Sequence, residues 1–499
     1  MTISRRNFIR TAGTTAAGLT IVPRHVLGRG LTAPSDRLNI AGVGVGGMGR
    51  TNLFNLALGN NIVALCDVDW DYAGKAWDRL PLDLKSEEER LPKVTDAEAR
   101  KNSVTRIESL KKLIAEDLPK MKRYKDYREM LDQQKDIDAV VIATPDHMHA
   151  PVALAAMDDG KHVYVQKPLC WSVHEARELA KKARQKKVVT QMGNQGHSWD
   201  DGRKVVEWVQ QGVIGDVREV HVWTNRPLVY WPQGIPKPTP QRVSGELRWN
   251  MAGVMARLAN AMGLYAVPDT LAWDLFLGPA PYVEYHPVYH PFNWRGWVDW
   301  GCGALGDMGA HLLDHAYWAL DLGYPTTIET VSTPFNKACF PMATKTYYEF
   351  PARGAMPAVK LAWYDGGMFP QRPEELGEEA LNGEGGAILV GSKGKLIYNT
   401  YGLRPRVFIG GQKYEQPPNQ TLPRITTSHE QNWADAAKGN GTASTPFDYA
   451  AKLTEVMLLG VVALRAGGKI HYDAADMRVT NLAAANEFLR REPRSGWSF

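Results

Sequence analysis

Leu38-Asn-Ile-Ala-Gly-Val-Gly44-Val-Gly46-Gly47-Met48-Gly49 runs through a helix-like stretch into Asn61-Ile-Val-Ala-Leu-Cys-Asp67. It reads as a strand, a G-x-G-x-x-G turn, a helix, and a second strand ending in a carboxylate. Gly44 permits the tight turn out of the strand, Gly46 lets the backbone approach a pyrophosphate, and Gly49 lets the helix pack closely on the sheet. Gly47 and Met48 complete the turn. Phosphates placed there face free backbone N–H groups and the positive end of the helix dipole. Asp67 stands 18 residues past Gly49, near the spacing at which a carboxylate meets the adenosine ribose hydroxyls. A 2′-phosphate would repel that carboxylate, so NAD is expected and NADP is disfavoured. A glycine triplet alone could be a turn in some other α/β domain. The strand before it, the helix after it and the acid closing the next strand favour a dinucleotide site.

At 499 residues the chain has room for two or three domains. Apolar residues make up 44 % and charged residues 23 %, an ordinary globular composition. The net charge of +5 is spread along the chain, so no nucleic-acid partner is expected. Sixteen Trp and nineteen Tyr can fill cores, and aromatic faces also suit sugar rings. Cys66, Cys170, Cys302 and Cys339 show no C-x-x-C spacing, so neither a zinc site nor a redox pair is suggested.

Residues 1–33 read as a targeting segment. Ser4-Arg5-Arg6-Asn7-Phe8-Ile9-Arg10 resembles the twin-arginine export signal, and Thr11 to Val22 is an apolar run too short to span a membrane comfortably. An ordinary basic amphipathic N-terminus is the blander alternative. The expectation is export to the periplasm or another extracytoplasmic space, with no stable membrane insertion of the mature protein. The twin-arginine route carries folded proteins, as an enzyme loaded with a nucleotide before export would need.

Residues 36–195 are expected to form one dinucleotide-binding domain with a doubly wound parallel sheet. Asp138–Thr144, His162–Gln166 and Val188–Gln191 are its later strands. An insertion follows Asp67, with a helix over Asp96–Lys120 whose apolar stripe is Val104, Ile107, Leu110 and Ile114. Residues 196–499 are expected to form a substrate-binding α+β domain with an open, mostly antiparallel sheet. Its strands are Val217–Thr224, Thr327–Ser332, Thr346–Phe350, Val359–Trp363, Ala387–Val390 and Lys395–Tyr398. Helices are expected over Ala304–Leu322, Ser428–Lys438, Tyr449–Ala466 and Ala475–Arg490. The proline-rich stretch Arg226–Pro240 reads as an extended arm.

Three stretches carry chemistry. They are Thr144-Pro145-Asp-His147-Met-His149, Gln166-Lys167-Pro168, and Gly301 to His315, which contains Asp307, His311, Asp314 and His315. Helix positions four apart share a face, so Asp307, His311 and His315 should line one side with Asp314 close to His311. A carboxylate beside an imidazole fixes its tautomer and raises its basicity. His147 and His149 form an H-x-H pair, but no third ligand accompanies them at a sensible spacing, so no metal is expected.

With these residues together, the chain resembles the family of glucose–fructose oxidoreductase, inositol dehydrogenase and rhizopine-catabolism proteins. The likeness covers nearly the whole chain, and Trp294 through Asp314 resembles an exported bacterial subgroup. It implies that Lys167 projects toward the nicotinamide, with a plausibly cis Lys–Pro bond. It also implies that His311 is acid/base on the reacting hydroxyl, and that Asp307 orients His311 or the sugar. Thr144, Pro145, His149 and Pro168 would border the cofactor. The family's usual Glu before the Lys is Gln166 here, which removes a charge beside Lys167 and leaves open whether Lys167 takes the proton or polarises the oxygen.

Asn194 and His197 sit where a loop would enter the interdomain cleft, and Asp314 and His315 could support the site or a helix end. Arg295, Trp297, Asp299 and Trp300 could meet sugar hydroxyls and stack on a ring, or form a buried aromatic corner. The implied reaction is hydride transfer between NAD and a hydroxyl carbon of a sugar, glycoside or cyclic polyol. Two alternatives stand beside it: redox-neutral cleavage of a glycoside with tightly bound NAD, and a sugar sensor with a vestigial cofactor. The family also implies a homo-oligomer.

Overall fold

A computed structural model describes residues 36–241 except 229, residue 258, and residues 261–497. The expected targeting segment at 1–33 lies outside them. Among the described residues no helix is long and apolar enough to cross a membrane.

The first sheet contains β1 (Asn39–Val43), β2 (Asn61–Cys66), β3 (Lys122–Tyr124), β4 (Ala139–Ile142), β5 (His162–Val165) and β6 (Thr190–Met192). Its order is β3-β2-β1-β4-β5-β6, and the neighbours pair in parallel. β4 is buried along its whole length, as a central strand covered on both faces must be. The winding reverses between β1 and β4, so a crevice opens where Gly44 and Thr144 leave their strands. Gly44 has φ +78°, and a Cβ there would lie 2.6 Å from the Ala143 carbonyl carbon. A Cβ on Gly49 would run into the Gly44 carbonyl oxygen, so both positions require glycine.

Between β2 and β3 two further helices, Trp70–Asp78 and Leu80–Arg90, precede the expected one, which forms third at Ala97–Lys112 and runs on through a π-helical turn to Asp117. Asp69 caps the first by accepting from Asp71 N and Tyr72 N, and Asp96 caps the third by accepting from Ala99 N. The third helix buries Ser103, Ile107, Leu110 and, just beyond its end, Leu113. Val104 is 37 % exposed, one position off the stripe.

The second sheet contains β7 (Val217–Thr224), β8 (Thr327–Ser332), β9 (Thr344–Phe350), β10 (Val359–Tyr364), β11 (Gly385–Gly391), β12 (Gly394–Asn399), β13 (Arg406–Ile409), β14 (Gln412–Tyr414), β15 (Ile470–Asp473) and β16 (Arg478–Val479). The order is β14-β13-β12-β11-β7-β10-β9-β8-β15-β16. β7 runs parallel to β10, and the other pairs are antiparallel. Alternate residues of β9, namely Thr344, Thr346, Tyr348 and Phe350, are buried, so one face of the sheet is covered. The helices Gly303–Leu312 and Phe447–Ala466 pack together there, and the second also meets β8.

The helix expected over Ala304–Leu322 appears as Gly303–Leu312 and Asp314–Ala319. Leu313 N still bonds Gly309 O at 2.9 Å, and Tyr317 N bonds Leu313 O at 2.8 Å, so the two segments run on with little break. The helix expected over Ala475–Arg490 is not formed. β16 and a 3₁₀ turn at Ala483–Phe488 occupy that span. Asn481 Oδ1 accepts from His471 N at 2.7 Å, and Asn486 Oδ1 accepts from Val479 N at 2.9 Å. Such side-chain bonds to backbone compete with a helix.

Late helices return to the first sheet. His429–Ala437 packs on Met48–Ala57, with Trp433 inside that core. Phe447–Ala466 packs on Val173–Lys186, where Arg177 and Glu455 pair at 2.6 Å.

Candidate active site

The crevice at the switch point is lined by the glycine turn, Asp67, Thr144, Pro145, His149 and Lys167, among others. The helix Met48–Ala57 starts at Gly47 with no side-chain cap, which leaves its first N–H groups for an anion. A side chain added at Gly47 would meet nothing within 4 Å. Asp67 Oδ2 accepts from Val45 N at 2.8 Å and Gly46 N at 3.2 Å. Burial pushes its carboxyl up to about 6, against the pull of these N–H groups. An open, uncapped phosphate cradle beside a half-buried carboxylate fits a dinucleotide with free ribose hydroxyls.

At the β5 side the Lys167–Pro168 peptide is cis. His149 joins this turn to the neighbouring one, with Nδ1 2.7 Å from Pro168 O and Nε2 2.9 Å from Thr144 O. Gln166 does not accompany the lysine. Its Nε2 donates to Asn52 Oδ1 at 3.0 Å, and Asn52 donates to Glu430 at 2.7 Å.

The carboxylate beside Lys167 comes from the other domain. Lys167 Nζ donates to Asp307 O at 2.6 Å and to Asp307 Oδ1 at 2.7 Å. Arg295 Nη1 lies 3.4 Å from Asp307 Oδ1, and Arg226 Nε lies 3.6 Å from Oδ2. Burial disfavours the Asp307 charge, but Lys167, Arg295 and Arg226 outweigh it and hold the carboxyl well below the usual range. Burial lowers the Lys167 ammonium, with Arg295 adding to that effect and Asp307 opposing it.

One turn on, His311 is buried, and its Nδ1 has no hydrogen-bond partner among the described residues. Burial and then the Lys167 charge push its pKa well below the ordinary value, so the ring is neutral. The Tyr401 ring meets it edge-on at 4.6 Å. Asp307 therefore engages Lys167 and two arginines, and no hydrogen bond joins it to His311.

The remaining candidates separate into packing groups. Asp314 accepts from Asn194 Nδ2 at 3.0 Å and from Tyr449 OH at 2.5 Å, and lies 3.0 Å from His197 Nδ1. The His197 ring stacks on Trp318 at 3.9 Å. Asn194, His197 and Asp314 are buried, with Trp318 and Tyr449 half-buried around them, and the group joins the last strand of one sheet to the helix over the other. The expected closeness of Asp314 to His311 gives no hydrogen bond. His315 Nε2 lies 3.3 Å from Gly196 O, and its ring fills the space beside Gly202 and Gly402. Trp297 and Trp300 are fully buried in a core with Trp273 and Tyr289, so the aromatic-corner alternative describes them and ring stacking on a sugar does not. Asp299 pairs with Lys237. Only Arg295 of that group reaches the cleft. His147 Nε2 lies 2.8 Å from Phe276 O.

Three residues of the cluster escaped the sequence reading. Asp146 is buried between Cys302 N, at 3.0 Å, and Arg295, at 3.5 Å, and burial pushes it up to about 6. It lies inside the Thr144–His149 stretch, which was the available signal. Arg226 and Tyr401 arrive from loops with no motif around them.

Residues 38–194 match the model described as oxidoreductase family, NAD-binding Rossmann fold, and residues 216–345 match its C-terminal alpha/beta domain. Together the matches cover more than half of the chain. A glycosyl hydrolase family 109 protein of Shewanella pealeana is 29 % identical over 239 residues, covering 44 % of this chain and 45 % of that protein. The chain thus spans less than half the length of such relatives. Levoglucosan dehydrogenase, solved with NADH and levoglucosan, superposes with TM-score 0.52 at 15 % identity, covering 87 % of this chain and 99 % of that one. An inositol dehydrogenase homologue from Azotobacter vinelandii, with NADH and myo-inositol, gives 0.50 at 17 %, covering 87 % and 98 %. At these identities the two structures show a shared fold.

Proposed function

Because the chain belongs to the Gfo/Idh/MocA oxidoreductase family, whose first domain is an NAD-binding Rossmann fold, we propose that it oxidises or reduces a hydroxyl-bearing carbon of a sugar, glycoside or cyclic polyol. The carrying observation is the meeting of Lys167 and Asp307 across the two domains, at the end of the dinucleotide crevice and one helical turn from a neutral, buried His311. NAD when bound supplies the hydride acceptor. His311 is the base: its ring is neutral, so one ring nitrogen keeps a lone pair that can take the hydroxyl proton. Lys167, kept cationic by Asp307, polarises the substrate oxygen. Arg295 and Arg226 keep Asp307 ionised, and Asp307 in turn fixes the lysine rotamer. The pairing of Lys167 with Asp307 beside a neutral His311 supports the enzyme reading over the sensor alternative.

A second reading is favoured by the glycosyl hydrolase family 109 relatives. In it the transient ketone acidifies the neighbouring C–H, the glycosidic bond breaks by elimination, water adds, and the hydride returns. The test is a glycoside panel deuterated at the carbon to be oxidised. A keto sugar with deuterium lost to the nicotinamide supports the dehydrogenase. A hydrolysed sugar retaining deuterium supports the redox-neutral cycle. No reaction with any glycoside would overturn the second reading, and no reaction with free sugars and cyclic polyols as well would overturn both.

Export of the mature protein by the twin-arginine route to the periplasm rests on Arg5-Arg6-Asn7-Phe8. Retention in the cytoplasm of an Arg5→Lys, Arg6→Lys protein would support it, and unchanged fractionation would refute it. A homo-oligomer formed through the open face of the second sheet is part of the same proposal, and sedimentation as a monomer would overturn it.

A further inference from the structure

The dinucleotide crevice does not end at Asp67. Its β3 side, away from Lys167, is walled by Tyr127, Met148, Val152, Leu275, Phe276 and Trp497. Tyr127 follows β3 and Lys167 follows β5, so a dinucleotide held at the glycine turn has its two ring systems directed to these opposite ends. The wall is mainly apolar and aromatic, with Lys125 and Asp126 at its β3 edge, which suits the flat face and polar rim of a purine ring better than a phosphate.

Two of its parts come from segments remote from the Rossmann sheet. The turn Trp273–Leu277 is fixed to the first domain by Ala272 N on Val68 O at 2.8 Å and by His147 on Phe276 O. His290 Nε2, further along the same segment, lies 2.8 Å from Asp69 Oδ2. The segment Arg494–Trp497 is fastened onto that turn. Arg494 donates from Nη1 to Asp274 Oδ1 at 2.6 Å, from Nη2 to Asp274 O at 2.8 Å and from Nε to Gly278 O at 2.8 Å. Trp497 N bonds Arg494 O at 3.1 Å, and the Arg128 guanidinium lies 4.7 Å from the Trp497 ring centre. Three guanidinium bonds to one short turn are more than a surface contact requires.

We propose that Trp497 is the outer wall of the adenine site, and that Arg494 on Asp274 latches it there, so that the dinucleotide leaves only when this segment lifts. The inference rests on the NAD reading above and adds a named site for the adenine half. It also ties to function, because a cofactor held through turnover must be restored to its starting state in place.

The test uses the protein loaded with NADH and chased with excess NAD, with the fluorescence of bound NADH followed over time. Trp497→Ala should raise the dissociation rate about tenfold, equivalent to about 1.4 kcal/mol, and Trp497→Phe should largely restore it. Titration with AMP and with nicotinamide mononucleotide locates the effect: Trp497→Ala should weaken AMP about tenfold and leave the mononucleotide unchanged. Arg494→Ala should shift the dissociation rate in the same direction. A dissociation rate within twofold of the parent, or equal weakening of both half-ligands, would overturn the proposal while the NAD reading stands. A parent protein that binds no NADH would overturn both.

Discussion

Lys167 Nζ donates at once to the backbone oxygen and to the carboxylate of Asp307, at 2.6 and 2.7 Å. The lysine leaves the end of β5 and the aspartate sits on the helix covering the second sheet, so the bond spans the two domains. It aligns a cation beside the crevice and places the closing charge on an element that also carries His311.

Asp307→Asn tests that relationship. The change removes the charge that opposes the lowering of Lys167 by burial, so the lysine pKa should fall further. The alkaline limb of the pH–rate profile should move to lower pH, with kcat reduced about 10²- to 10³-fold. NAD affinity should change less than twofold. A kcat within threefold of the parent would remove Asp307 from the mechanism.

His311→Ala should lower kcat by about 10²- to 10⁴-fold with substrate binding largely kept. Burial and Lys167 hold the ring pKa well below its ordinary value. The His311 ring is therefore unprotonated across neutral pH, and the acid limb of the profile should fall below pH 6.5. A limb at or above that value would assign the base elsewhere.

Asp67 couples cofactor binding to pH. Its carboxyl stands at about 6 in the protein against 3.8 for an ordinary aspartate. A raised value means that its contribution to stability without nucleotide is full below about 3.8 and lost as pH rises through about 6. Ribose hydroxyls need the ionised form as acceptor, so NAD affinity should fall as pH drops below about 6, by up to about tenfold per unit. Calorimetric titration across that range should show the trend, and Asp67→Asn should flatten it. Equal slopes for the two proteins would refute the role of Asp67.

Asp314 makes the opposite stability prediction. Burial opposes its charge, but His197, His315 and Tyr449 hold its carboxyl down to about 2 against an ordinary 3.8. A depressed value gives stability that is present above about 3.8 and lost as pH falls through about 2, worth about 2 kcal/mol. Asp314→Ala should cost about 3 kcal/mol or more at pH 7, because it leaves Asn194, His197 and Tyr449 buried without their acceptor. A melting temperature within one or two degrees of the parent would show that this cluster does not hold the domains together.

The parts legible in sequence were those where backbone geometry or short spacing dictates the residue. Gly44 and Gly49 face carbonyls that exclude a Cβ, and Asp67 closes its strand at a fixed distance. Lys167 and the four-residue step from Asp307 to His311 were equally visible. The partner of Asp307 was not, because helix spacing points to His311 whereas the charge is satisfied by Lys167 from another domain, 140 positions away in the chain. Trp297 and Trp300 stood between sugar stacking and a buried aromatic corner because a Trp-rich loop carries the same letters whether its rings face a cleft or each other. The false helix at Ala475–Arg490 came from Ala-rich composition, which ignores Asn481 and Asn486 bonding backbone. Arg226, Tyr401 and Trp497 meet the site only through tertiary folding.

Everything proposed for the site turns on hydride exchange between bound NAD and a carbohydrate hydroxyl carbon at Lys167 and His311. The most direct measurement mixes the NAD-loaded protein anaerobically with sugars, polyols and glycosides while following nicotinamide absorbance in the millisecond range. Reduced nicotinamide is expected with at least one class, either accumulating to stoichiometry or appearing transiently as a glycoside disappears, and no such signal for Lys167→Met. Loss of a substrate with no reduced nicotinamide at any time, or an undiminished signal in Lys167→Met, would contradict that exchange.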